Sequence, residues 1–101
     1  MRNLKDLTQD ECIEIAKIIN PNVNWKFVVS EYTWDGFDLV DAESENLRYN
    51  NNIVQIDYSG KPYQTGHNIF REYDERLCGV HIPDSIVNKV ILYLQSINVE
   101  I

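Results

Sequence analysis

The sequence predicts a single α+β domain: an N-terminal helix, an antiparallel sheet of three to four strands, and one or two C-terminal helices packed on one face of the sheet. Three observations lead there. Apolar residues recur at helical spacing near both ends of the 101-residue chain, β-branched and aromatic residues alternate through its middle, and turn-forming dipeptides separate the alternating runs. A chain of this length builds one core, and its 44% hydrophobic and 11% aromatic content is far from the composition of a disordered segment.

The first helix is expected over Thr8 to Ile19. Thr8-x-x-Glu11 is a capping box, in which the hydroxyl and the carboxylate each satisfy an otherwise open backbone N–H. Leu7 and Cys12 are placed to form a hydrophobic staple across it. Cys12, Ile15, Ala16 and Ile19 share one face, Ile13 and Ile18 widen it, and Pro21 ends the helix.

A strand from Trp25 to Trp34 then runs into Asp35-Gly36, a dipeptide favoured in two-residue hairpin turns, and a second strand from Phe37 to about Glu43 folds back. This turn sets Trp34 opposite Phe37, Tyr32 opposite Leu39, Ser30 opposite Asp41 and Val28 opposite Glu43. With that pairing the apolar side swaps along the hairpin, which requires a bulge near Val29 to Glu31 or a tip projecting beyond the core.

Leu47 to Tyr49, the turn Asn50-Asn51-Asn52, and Ile53 to Tyr58 read as another hairpin with Val54, Ile56 and Tyr58 facing inward. Ser59-Gly60-Lys61-Pro62 and Thr65-Gly66 are turns. The segment from Asn68 to Leu77 has two readings: a helix capped by Asn68 and stopped at Gly79, or a strand from Asn68 to Tyr73. The last helix starts at Pro83-Asp84-Ser85 and packs through Ile86, Val87, Val90, Ile91, Leu94 and Ile97. Val99 to Ile101 is placed to add an edge strand.

Charge is unevenly spread. The stretch Phe27 to Leu47 carries Glu31, Asp35, Asp38, Asp41, Glu43 and Glu45 with no Lys or Arg, and so holds nearly all of the net −7. Nucleic acid and anionic membrane are poor partners for such a surface, whereas basic proteins are good ones. No run approaches the roughly 18 apolar residues of a membrane span, and MRNLKDLTQDE has no apolar leader. Two widely separated cysteines, Cys12 and Cys78, suit a reduced, cytoplasmic protein.

Catalytic and metal motifs are weak. In Cys78-Gly79-Val80-His81 an extended backbone sends the thiol and the imidazole to opposite faces, and His67 and His81 have no oriented partner in the sequence. The acids of the hairpin do not match a calcium-loop template, and no CxxC zinc pattern occurs. Neither enzymatic activity, a metal nor a cofactor is therefore expected.

The expectation is a non-enzymatic protein-binding module. Its candidate contact residues are Tyr32, Trp34, Asp35, Phe37, Asp38, Asp41, Glu43 and Glu45, which combine apolar grip with a one-signed field. Asp41, Glu43 and Glu45 are expected to alternate along one strand face about 6.7 Å apart, close to the phosphate spacing of a nucleic-acid strand. Such a ridge would fit a Lys/Arg groove. Twelve Ile and eleven Asn against two Ala suit an AT-rich genome. The expected class is thus a small acidic phage or mobile-element inhibitor, of the anti-defence or nucleic-acid-mimic kind, docking on a basic surface of a host protein. Two other readings stand beside it: a self-associating assembly protein, and a small enzyme using His67 or His81 with a carboxylate. An acidic edge that only blocks aggregation is the plainest account of the charge run.

Overall fold

A computed structural model describes residues 1–28, 36–43, 52–58, 69–74 and 79–100. The fold is α+β. Its elements are β1 (Arg2–Asn3), a 3-10 turn (Leu4–Asp6), α1 (Gln9–Ile19), β2 (Trp25–Val28), β3 (Gly36–Asp41), β4 (Ile53–Asp57), β5 (Phe70–Tyr73), β6 (Gly79–Val80), α2 (Asp84–Ser96) and β7 (Val99–Glu100). Strands β2 to β6 form one antiparallel sheet in chain order, while β1 and β7 form a separate parallel pair. Five strands in the main sheet exceed the three or four expected.

Helix α1 begins where the capping box placed it. Thr8 Oγ1 accepts from the Glu11 N–H at 3.2 Å, and the Glu11 carboxylate accepts from the Thr8 N–H at 2.9 Å. Cys12, Ile15, Ala16 and Ile19 are buried as the spacing predicts, and Leu7 joins the same core. α1 lies across β2, β3 and β4, and α2 packs against α1 through a face that buries Val87, Val90 and Leu94.

Register decides which side chains meet the helices. Trp25 pairs with Asp41, Phe27 with Leu39, Leu39 with Val54, Phe37 with Ile56, Ile56 with Phe70, and Val54 with Glu72. Paired residues share a face, so these positions form the helix-bearing side, and Trp25, Leu39, Val54, Ile56 and Phe70 belong to the core. Lys26, Val28, Asp38, Val40, Ile53, Gln55 and Arg71 lie on the opposite side. Asp38, Val40, Ile53 and Gln55 are buried there as well, so β3 and β4 are enclosed on both faces.

The expected hairpin requires correction. Leu39 faces Phe27 and not Tyr32, a slip of five residues, and Gly36 is not a turn residue but the first residue of β3, opposite Asp57. An odd slip turns every side chain of one strand to the other face. In the observed pairing Trp25, Phe27 and Leu39 fall on one side, and the expected bulge near Val29 to Glu31 lies outside the described residues.

Residues Phe70–Tyr73 are strand, as one of the two readings of that segment had it, and Gly79 starts β6 and does not stop a helix. Both edges of β4 are taken, by β3 and by β5, while the expected partner arm Leu47 to Tyr49 lies outside the described residues. The C-terminal strand pairs with the N-terminus: Arg2 is opposite Val99, and the Arg2 guanidinium donates to Glu11 Oε2 at 2.7 Å, to the Ile97 carbonyl at 3.2 Å and to the Asp6 carbonyl at 3.0 Å.

Candidate functional site

Four of the eight candidate contact residues, Tyr32, Trp34, Asp35 and Glu45, lie outside the described residues. The structure separates the other four. Asp38 is completely buried in the middle of the sheet, between Val28 and Gln55 on the side away from the helices, and offers nothing to a surface ridge. Asp41 ends β3, and its Oδ1 accepts from the Glu43 N–H at 2.9 Å. That bond closes a local turn, so Glu43 is exposed in the turn and does not continue a strand. The alternating Asp41–Glu43 ridge is therefore corrected: the strand stops before the alternation can develop.

Phe37 has a different setting. It is half-buried, with its ring centroid 5.8 Å from Phe27 at an interplanar angle of 47° and 5.6 Å from Tyr58 at 59°. These are tilted arrangements that align ring edges with ring faces. The row crosses β2 and β3 and ends just past β4, at the margin of the core, and none of its three members is fully buried. Tyr58 is on the inward face, as its alternation with Val54 and Ile56 predicts, and Phe27 lies on the same face through its pairing with Leu39. Their assembly with Phe37 into one row depends on the register, which the Asp35-Gly36 signal obscured.

Val28 is the last residue of β2 and Gly36 the first of β3; the sequence between them, VSEYTWD at 29–35, lies outside the described residues. It carries Glu31, Tyr32, Trp34 and Asp35 and no cation. Asp57, at the same end of β4, lies 3.8 Å from the Arg71 guanidinium. Of the four described candidates, Phe37 thus joins an aromatic row at one end of the sheet, Asp41 and Glu43 lie at a turn at the other, and Asp38 is enclosed between them.

Among the described residues, the titratable groups with clear shifts lie elsewhere. Hydrogen bonding to Arg2, seconded by the Thr8 N–H against the opposing effect of burial, holds the Glu11 carboxyl down at about 2. Burial pushes the Cys12 thiol up to about 12, with Glu11 adding to the effect, so it is a packing group rather than a nucleophile. His81 follows β6 at the surface, and His67 lies outside the described residues. Among the described residues no cluster of three or more His, Cys, Asp or Glu side chains could hold a metal ion, and no helix is long and apolar enough to cross a membrane.

Comparisons with protein-family models, with curated proteins and with solved structures return no match.

Proposed function

We propose that this chain is a non-enzymatic protein-binding module that docks the acidic and aromatic end of its β2–β3 hairpin on a basic surface of another protein, as a small inhibitor of phage or mobile-element origin would dock on a host target. The reading is supported by the half-buried row Phe27, Phe37 and Tyr58, together with a sequence between β2 and β3 that holds two acids, two further aromatics and no cation. Aromatic anchors supply most of the energy at protein interfaces, and a surrounding field of one sign raises the association rate and selects a partner of the other. Asp38 has no part in the contact, because it is enclosed in the sheet. Asp41 and Glu43 contribute only to the net field.

Capture from the cell that makes the protein, or from its host, tests the reading. The immobilised chain should retain a basic protein that elutes with salt. Phe37→Ala with Tyr58→Ala, and separately Glu31→Lys with Asp35→Lys, should each reduce retention at least about tenfold while leaving the fold intact, in line with the loss of one or two anchors. Asp38→Lys should unfold the domain instead, since a lone cation would be placed in the sheet interior. Retention that survives both double substitutions contradicts the proposed contact.

A further inference from the structure

A second candidate region lies at the opposite edge of the sheet. Strands β5 and β6 border a cavity of about 250 Å3 that opens at the surface, where Val80 is 39% exposed. Register places Phe70, Glu72 and Val80 on the same, helix-bearing face, with Glu72 directly opposite Val80. Phe70 and Ile82, both buried in the core, supply the apolar wall. Glu72 supplies the charge, although it is only 9% exposed.

Among the described residues the Glu72 carboxylate has one hydrogen-bond donor. Asn20 Nδ2 donates to its Oε2 at 2.9 Å, and among the described residues Oε1 receives no hydrogen bond. Asn20 is held firmly in that position. It caps the end of α1, its N–H donates to the Ala16 carbonyl at 2.8 Å, its Oδ1 accepts from the Asn22 N–H at 3.1 Å, and its carbonyl accepts from the Trp25 indole at 2.9 Å. The carboxylate is thus oriented from behind, with Oε1 open among the described residues. Arg71 also borders the cavity, but strand alternation sends its side chain to the opposite face, where Asp57 lies 3.8 Å away.

We propose that this cavity binds an alkylammonium group, with the ammonium on Glu72 Oε1 and the aliphatic chain along Phe70, Val80 and Ile82. A buried carboxylate with an open lone pair is stabilised by a charged donor, and an apolar wall beside it favours a donor on a hydrocarbon stem. Two sources carry that chemistry: the lysine side chain of a polypeptide, and a free aliphatic amine. The site is independent of the β2–β3 docking end, so either proposal can fail without the other.

The test is an NMR titration of the whole chain with acetyl-lysine methylamide, with butane-1,4-diamine, and with acetyl-norleucine methylamide as the uncharged control. A cationic probe should give saturable shifts at the Gly79 amide and the Val80 methyls, and the control should give none. Tighter binding of the lysine derivative assigns the site to a polypeptide, and tighter binding of the diamine assigns it to a free amine. Glu72→Gln keeps an acceptor for Asn20 but removes the charge, and should weaken binding about tenfold, the difference between a charged and a neutral hydrogen bond. Val80→Lys, on the exposed rim, should abolish binding by placing its own ammonium at Glu72, and it serves where Glu72→Gln fails to fold. Equal shifts with the uncharged control, or cationic binding unchanged by either substitution, overturn the proposal.

Discussion

Arg2 and Glu11 are the residue pair whose chemistry reaches furthest through the chain. The Arg2 guanidinium joins the first turn of α1 to the carbonyl of Ile97 at the end of α2, so one side chain fastens both termini to the same helix. Glu11 has a folded-state value of about 2 against an ordinary 4.5, because the hydrogen bond from Arg2 favours the carboxylate. A depressed carboxyl stabilises the fold above its unfolded value and loses that contribution as pH falls through the folded value. The contribution is therefore complete above about pH 5 and disappears between about pH 4.5 and pH 2. Glu11→Gln should be less stable at neutral pH and show a shallower loss of stability across that acid window, measured by urea unfolding at several pH values. Parallel acid limbs for the two proteins would remove the Arg2–Glu11 contact from the account.

At the scale of elements, what was legible in the sequence was what local chemistry determines. The capping box at Thr8 and Glu11 is satisfied within one turn, so its four-residue signature specifies the start of α1 without help from the rest of the fold. Thr8→Ala should cost about 1 kcal/mol, read as a lower urea midpoint with an unchanged slope. The α2 face was legible for a similar reason, since Val87, Val90 and Leu94 repeat at the helical period.

Strand pairing is not a local property. Asp35-Gly36 favours a two-residue turn by its backbone preferences, but burial of Trp25 and Leu39 on one face outweighs that preference and moves Gly36 into β3. The conflict was visible in the sequence as an apolar face that swapped sides along the expected hairpin. Pairing Phe27 with Leu39 gives the described part of the two strands one apolar face. The strand at Phe70–Tyr73 carries the same lesson: Phe70 and Glu72 alternate with Arg71 and Tyr73, yet Glu72 and Arg76 also fit a helical ion pair, and only the pairing of β5 with β4 decides.

The candidate site was less legible than the fold. Phe37 was recognised because it neighbours the acidic stretch, whereas Phe27 and Tyr58 join it only through the register of three strands. Asp38 illustrates the opposite error. In sequence it is one more acid in a run, while in the fold it is enclosed between β2 and β4. The buried Glu72, which defines the second cavity, carried no signal beyond its place in a mixed charge cluster.

For the whole molecule, the net charge of −7 and its concentration in one stretch matter more than any single ion pair. Charges of one sign near an apolar anchor act mainly on encounter, and their effect is screened over about 10 Å at 0.1 M salt. In the proposed contact at the β2–β3 end, register builds the aromatic row and the net negative charge would steer the approach of a basic partner. Stopped-flow measurement of the association rate between this chain and its captured basic partner, across a salt series, tests that account most directly. The rate should fall at least about tenfold between low and physiological salt, and Glu31→Lys with Asp35→Lys should remove most of the slope. A rate that stays flat across the series, with the same slope in wild type and variant, would contradict it.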